Sequence, residues 1–239
     1  MSKKPINQNH NYNLNLINSI GFDYYFSSST INRITNKVIN STQSNEEKKR
    51  KLELLKQNIN SIKDCKLKEN ANCLILGNGN INSKIMLIGG APGEKENETA
   101  EAFTGEDGIL LEKMLAAINI KKNNIYMSYA INYYPRDDRK PSSEEIKRYS
   151  SFLQKHISII NPKIIILLGS TAMYSLLGLN NKISSERGNW KELIIENTNY
   201  HIMITFDPSY LLRAPENKKF SWDDLKKIKQ KIEELDLTI

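Results

Sequence analysis

Two stretches of the chain carry residue types suited to holding and transforming a ligand. The first is Gly89-Gly90-Ala91-Pro92-Gly93, which closes the apolar run Lys84-Ile-Met-Leu-Ile-Gly89. Small side chains and one fixed φ let such a backbone approach a ligand closely. Ala102-Phe103-Thr104-Gly105 follows about ten residues on, before Gly108 and an amphipathic helix from Ile109. The second stretch is Asp207-Pro208-Ser209-Tyr210-Leu211-Leu212-Arg213. Apolar side chains beside an arginine make a wedge that can enter a base stack while the cation holds a phosphate. Ser209, Leu211, Leu212 and Arg213 are therefore candidate nucleic-acid contacts, and Lys218 and Lys219 extend the basic edge. A plainer reading also stands, in which residues 84–118 are an ordinary strand, loop and helix, and Leu211 and Leu212 pack on the last helix.

Other chemistries fit poorly. No Gly-Lys-Ser/Thr follows Gly93 at the spacing of a phosphate-binding loop. A dinucleotide fingerprint also fails, because the predicted helix begins well after the last glycine of the turn. His10, His156 and His201 are scattered, and no metal site is expected. Cys65 and Cys73 are too few for a disulfide framework or a four-cysteine metal site. They read as ordinary thiols of a reducing compartment, which makes a cytoplasmic location the expectation.

Strands and helices alternate around these loops. Cys73–Gly77, Lys84–Gly89, Ile125–Asn132, Lys163–Gly169, Leu193–Ile195 and Tyr200–Phe206 are predicted strands by their branched and aromatic content. Helices are predicted from Ile109 to Ile118, from Ser142-Ser143 to Ile160, over Thr171–Leu177 and from Ser221 onward. That alternation predicts an α/β fold with a mostly parallel sheet covered on both faces. Residues 207–215 are expected to be a loop. At the start, residues 1–13 are polar, 14–26 suggest a short helix, 35–50 read as a flexible linker, and 46–61 as a helix with Leu52, Leu55 and Ile59 on one face. The expected division is an appendage over 1–60 and a main domain over 61–239.

Composition adds a class of partner. A net charge of +7 suits a polyanion such as nucleic acid. No stretch approaches the roughly 20 apolar residues of a membrane span, and the amino terminus lacks a signal-peptide core.

The ordered set of short motifs resembles a known family. Ile88-Gly89, Ala91-Pro92-Gly93, Ala102–Gly105 with Gly108, and Pro135 with Arg139 and Pro141 come first. Asn161-Pro162-Lys163 through Gly169, Leu176-Leu177-Gly178, Arg187-Gly188, Trp190, Pro208–Arg213, Lys218 and Trp222–Leu225 follow. In this order they resemble the uracil-DNA glycosylase superfamily, family 4 type. The resemblance implies a three-layer α/β/α sandwich that flips uracil, or another damaged base, from single- or double-stranded DNA and hydrolyses its N-glycosidic bond in base-excision repair. It makes Ala91, Pro92, Gly93 and Phe103 base-binding, with Phe103 as the stacking platform, and makes the 207–213 loop the DNA wedge. A monomer bound to DNA, with no membrane, is the expected working form.

The same resemblance implies altered chemistry. The family's water-orienting acidic residue falls on Gly90, its uracil-reading asparagine on Tyr129, and its histidine before Pro-Ser on Asp207. A carboxylate at 207 repels a developing uracil anion unless it is held protonated. Many members also hold a [4Fe-4S] cluster through four cysteines; here Cys65 matches and Ile62, Tyr133 and Tyr149 occupy the other positions, so no cofactor is expected. Two functions are therefore open: a divergent glycosylase, or a catalytically inactive DNA- or partner-binding protein on the same fold.

Overall fold

The computed structural model describes residues 33–239. The polar start and the short helix expected over 14–26 lie outside the described residues. Helix α1, Arg33–Asn60, opens the described part and runs through the segment expected to be a linker. That segment is polar but contains neither Pro nor Gly. Its Glu46 and Glu47 sit one turn before Lys49 and Lys51, at 2.9 and 2.6 Å, spacings that favour a helix by a few tenths of a kcal/mol each. Residues 43–239 form one compact unit. Leu52, Leu55 and Ile59 of α1 are buried in its core, so the packed domain begins well before residue 61. Lys48 adds a polar tie, its Nζ donating to the carbonyls of Ile81 and Ile160 at 3.1 and 2.9 Å.

A sheet of six strands lies at the centre. The strands are β1 Gly77–Gly79, β2 Ile85–Gly89, β3 Tyr126–Tyr129, β4 Ile164–Leu168, β5 Trp190–Ile195 and β6 Thr198–Thr205, in spatial order β1-β3-β2-β4-β6-β5. The four inner strands are parallel, and β1 and β5 pair antiparallel at the edges. Every residue of β2 and β4 is buried, as strands covered on both faces require. The strand expected over Cys73–Gly77 is displaced to Gly77–Gly79. Ile75 instead exchanges bonds with the loop residue Asn132, through its own N–H at 2.9 Å and its carbonyl at 3.0 Å.

Helices cover both faces. Ile85 and Leu87 of β2 join a cluster with Leu111 and Leu115 of α4 (Gly105–Ala116) and with Leu225 and Ile228 of α9 (Lys218–Glu234). Met86 and Ile88, on the opposite face, join Leu153 and Ile157 of α5 (Ser143–Ile160) and Met173 and Leu176 of α6 (Gly169–Leu177). The three-layer α/β/α expectation therefore holds. Four short α-helices, α2 Lys66–Asn70, α3 Glu94–Thr99, α7 Ile183–Glu186 and α8 Pro208–Arg213, and three 3-10 turns at Lys122–Asn124, Arg136–Asp138 and Pro215–Asn217 complete the described elements. The expected loop at 207–215 is mostly α8, because Asp207 accepts the Ser209 N–H as N-cap and Pro208 sits pre-set at the first helical position.

The chain leaves β2 for β3 over one face and leaves β4 for β6 over the other. A crevice opens between their carboxyl ends, the place where open α/β sheets hold ligands.

If α1 belongs to the core, Leu55→Ala lowers the unfolding free energy by about 2–4 kcal/mol in urea titrations. A loss below about 0.5 kcal/mol would show that the helix is an independent appendage.

Candidate active site

The crevice is a cleft of about 790 Å³. The turn Gly90–Gly93 after β2 forms one wall, Phe103 and Tyr129 the floor, and Asp207 with α8 the facing wall. The sheet thus brings together Gly90, Ala91, Pro92, Gly93, Phe103, Tyr129, Asp207, Ser209, Leu212 and Arg213, which are spread over more than a hundred positions of sequence.

One buried carboxylate fixes the turn. Glu96 Oε2 accepts the Gly93 N–H at 3.0 Å and Oε1 accepts the Thr104 N–H at 2.9 Å. Both oxygens are committed to backbone, so Glu96 ties the glycine turn to the Phe103 segment and has little capacity left to orient a water. Glu94 is exposed at the cleft edge.

Phe103 is held in an unusual way. Its φ is +55°, a left-handed conformation that a non-glycine residue adopts at a cost. Its N–H donates to the Tyr129 hydroxyl at 2.9 Å, and the two rings stack with centroids 4.7 Å apart and planes 22° apart. A Cβ on Gly89 would come within 2.9 Å of both rings. Burial pushes the Tyr129 phenol well above its ordinary range, so it stays neutral. Phe103, the residue expected as a stacking platform, is therefore buried and covered on one face by a ring of its own chain.

Two acids face the space above this floor. Asp207 is half-buried; burial pushes its carboxyl up, opposed by the Ser209 bonds and by Arg213. Its Cβ lies 3.1 Å from where a Cβ on Gly169 would stand. Asp107, in the first turn of α4, is pushed up to about 6, first by burial and then by the charges of Asp207 and Glu96, with Arg213 pulling the other way. Its position carries no sequence signal, since an acid in the first turn of a helix is ordinary.

The candidate DNA contacts divide. Arg213 is exposed, and Leu212 and Ser209 line the cleft. Leu211 is fully buried, so it is core rather than wedge, as helical geometry turns it away from its neighbour Leu212. Lys218 is exposed at the start of α9 and lies outside the cleft lining.

The positions that would hold an iron–sulfur cluster also meet in space. Cys65 Sγ is 3.3 Å from the Tyr149 hydroxyl, the Tyr133 and Tyr149 rings meet edge to face at 6.5 Å, and Ile62 packs on the same cluster. One thiol among filled aromatic volume does not fit a group that needs four ligands.

Asp107 makes a stability prediction whose sign follows from its environment. The folded protein holds this proton more tightly than the ordinary 3.8, so stability falls as pH rises from there through about 6. At pH 7.5 Asp107→Asn should raise the unfolding free energy by about 1–2 kcal/mol, and below pH 4 the gain should vanish. An equal effect at both pH values, or none at 7.5, would remove the case for a strained carboxylate.

Comparison with known proteins gives the ancestry of this cleft. Residues 76–228 match the Uracil DNA glycosylase superfamily. A type-4 uracil-DNA glycosylase of Thermotoga maritima is 31% identical over 181 residues, covering 74% of this chain and 93% of that protein. Another, from Sulfurisphaera tokodaii, is 31% identical over 186 residues, covering 75% of this chain and 84% of that protein. With the motifs of both walls assembled at one switch point of the sheet, the chain belongs to the uracil-DNA glycosylase superfamily.

Proposed function

We propose that this protein binds DNA and cleaves the N-glycosidic bond of a base delivered into the cleft, using a rebuilt set of acids. The reading is carried by one observation: a platform ring, two acids with raised proton affinity and an arginine-bearing helix converge on the same cleft. Cleavage of such a bond develops positive charge on the sugar and negative charge on the base. Asp107, ionised above about pH 6, is suited to stabilising the sugar cation and accepting a proton from water. Asp207, when protonated, can donate a hydrogen bond to a base oxygen in place of a histidine. The Tyr129 phenol accepts from Phe103 and keeps its own proton to donate. A phenol offers one donor where an amide offers paired donor and acceptor, so the favoured base need not be uracil. No step calls on an iron–sulfur cluster.

A second reading, DNA binding without catalysis, is favoured by the Tyr129 ring itself. It lies 4.7 Å from Phe103, where a flipped base would stack, and Gly90 has no side chain to orient water.

The test incubates the protein with single- and double-stranded oligonucleotides carrying uracil or other damaged bases and scores alkali-labile abasic sites. Excision should rise with pH around a midpoint near 6 as Asp107 ionises, and Asp107→Asn should cut the rate by about 10²-fold or more. No excision of any base, combined with uracil excision by the Gly90→Glu, Tyr129→Asn, Asp207→His triple variant, would establish the second reading instead.

A further inference from the structure

A second depression, of about 490 Å³, opens beside the cleft and shares Ser170, Ile183, Phe206 and Tyr210 with it. Its walls are aromatic. The Phe206 and Tyr210 rings lie 5.0 Å apart at 40°, and Phe220 stands across from them on α9. Tyr210 and Phe220 remain 37% and 39% exposed although both line this depression.

Arg187 explains how the rings are held. Its guanidinium lies over the Phe206 ring at 5.6 Å and over the Phe220 ring at 5.4 Å. The same group pairs with the buried Asp224 and donates to the Phe220 carbonyl. Asp224 is anchored in turn by the Thr205 hydroxyl at 2.7 Å. The arginine's charge is therefore spent inside the protein, and its role here is to set ring spacing. Asn217 fixes Tyr210 by donating to its hydroxyl at 2.9 Å. The result is a preorganised depression in which Phe206 is covered by Arg187 and Tyr210, while Tyr210 and Phe220 keep exposed ring surface.

The surroundings say what the depression takes. Lys182 is exposed on its rim, Lys219 Nζ lies 5.0 Å from the Phe220 ring, and Arg213 is on the same short helix as Tyr210. Aromatic faces interleaved with free cations, continuous with a groove for a nucleic-acid strand, are the means by which proteins hold unpaired bases without reading their sequence. An acidic peptide would use the cations but would leave the flat faces without a partner.

We propose that the exposed ring surface of Tyr210 and Phe220 in this depression is a stacking site for an unpaired nucleobase on the strand that enters the main cleft. This rests on the DNA-binding reading above and sharpens it, because a stacked neighbour requires an unpaired strand. The protein would then prefer single-stranded or locally melted DNA.

Fluorescence anisotropy with a labelled single strand of about 12 nucleotides and with its duplex tests this. Phe220→Leu, which keeps apolar volume but removes the ring, should weaken single-strand binding about tenfold and change duplex binding less than about twofold. Phe220→Tyr should bind as the wild type does. Photocrosslinking of a 5-iodouracil strand should label Tyr210 or Phe220. Unchanged single-strand affinity in Phe220→Leu, or equal losses on both DNAs, would overturn the stacking site while leaving DNA binding intact, provided duplex affinity still falls with salt and in Arg213→Ala. Failure of the wild type to bind either DNA would overturn both readings.

Discussion

The left-handed backbone of Phe103 is the constraint around which the cleft is arranged. A non-glycine residue at φ +55° costs roughly 1–2 kcal/mol relative to the right-handed region, and the surroundings supply the compensation. The Tyr129 hydroxyl takes its N–H, and Glu96 takes the next one, of Thr104. Gly89 leaves the space into which both rings settle. Gly108 is needed as well, since a Cβ there would meet the Phe103 carbonyl at 1.9 Å. Residues that look independent along the chain, two glycines, a tyrosine and a glutamate, serve one aromatic ring held at the carboxyl ends of the strands.

Electrostatics divides the cleft into an interior and a rim. Glu96, Asp107 and Asp207 make the interior acidic, and their mutual repulsion adds to burial in raising the proton affinity of Asp107. The cations stand outside, at Arg213, Lys182 and Lys219. Such an arrangement favours an anionic group at the edge over one at the floor. The Arg187–Asp224–Thr205 network sits beneath this rim. It is buried where screening is weak, so it can hold Phe206 and Phe220 in place without contributing charge to the surface.

Much of this was legible in the sequence, for identifiable reasons. β4 was clear because Ile164–Leu168 is apolar throughout, as a central parallel strand must be. The glycine turn was legible because small residues after such a strand mark a ligand loop, whereas Phe103 was reached only through the ordered family motifs. The linker expectation at 35–50 failed because polar composition hid a helix whose stabilising pairs are three and four residues apart. Leu211 and Leu212 differ in fate, since adjacent positions on a helix point about 100° apart and no composition rule says which is inside. Asp107 was invisible for a deeper reason: its raised proton affinity comes from charges at positions 96 and 207, brought near by the fold.

Positions 90, 129 and 207 are coupled to their neighbours. A pocket that had merely lost its polar groups would be left with voids or unpaired polar atoms, each costing about 1–3 kcal/mol. Among the described residues, the buried side-chain atoms without partners are Asn78 Oδ1, Ser175 Oγ and Ser221 Oγ, none in the cleft lining. Tyr129 instead fills its space and satisfies the Phe103 N–H, so replacing it by asparagine removes a support of that ring. A Cβ at Gly90 would meet Thr171 Cβ at 3.0 Å, close enough that Thr171 must give way to admit any side chain. Asp207 packs against Gly169, whose φ of +87° keeps that position open. Changes at 90, 129 and 207 therefore act on a shared structure and should not add. The cleft is packed for the residues it now has.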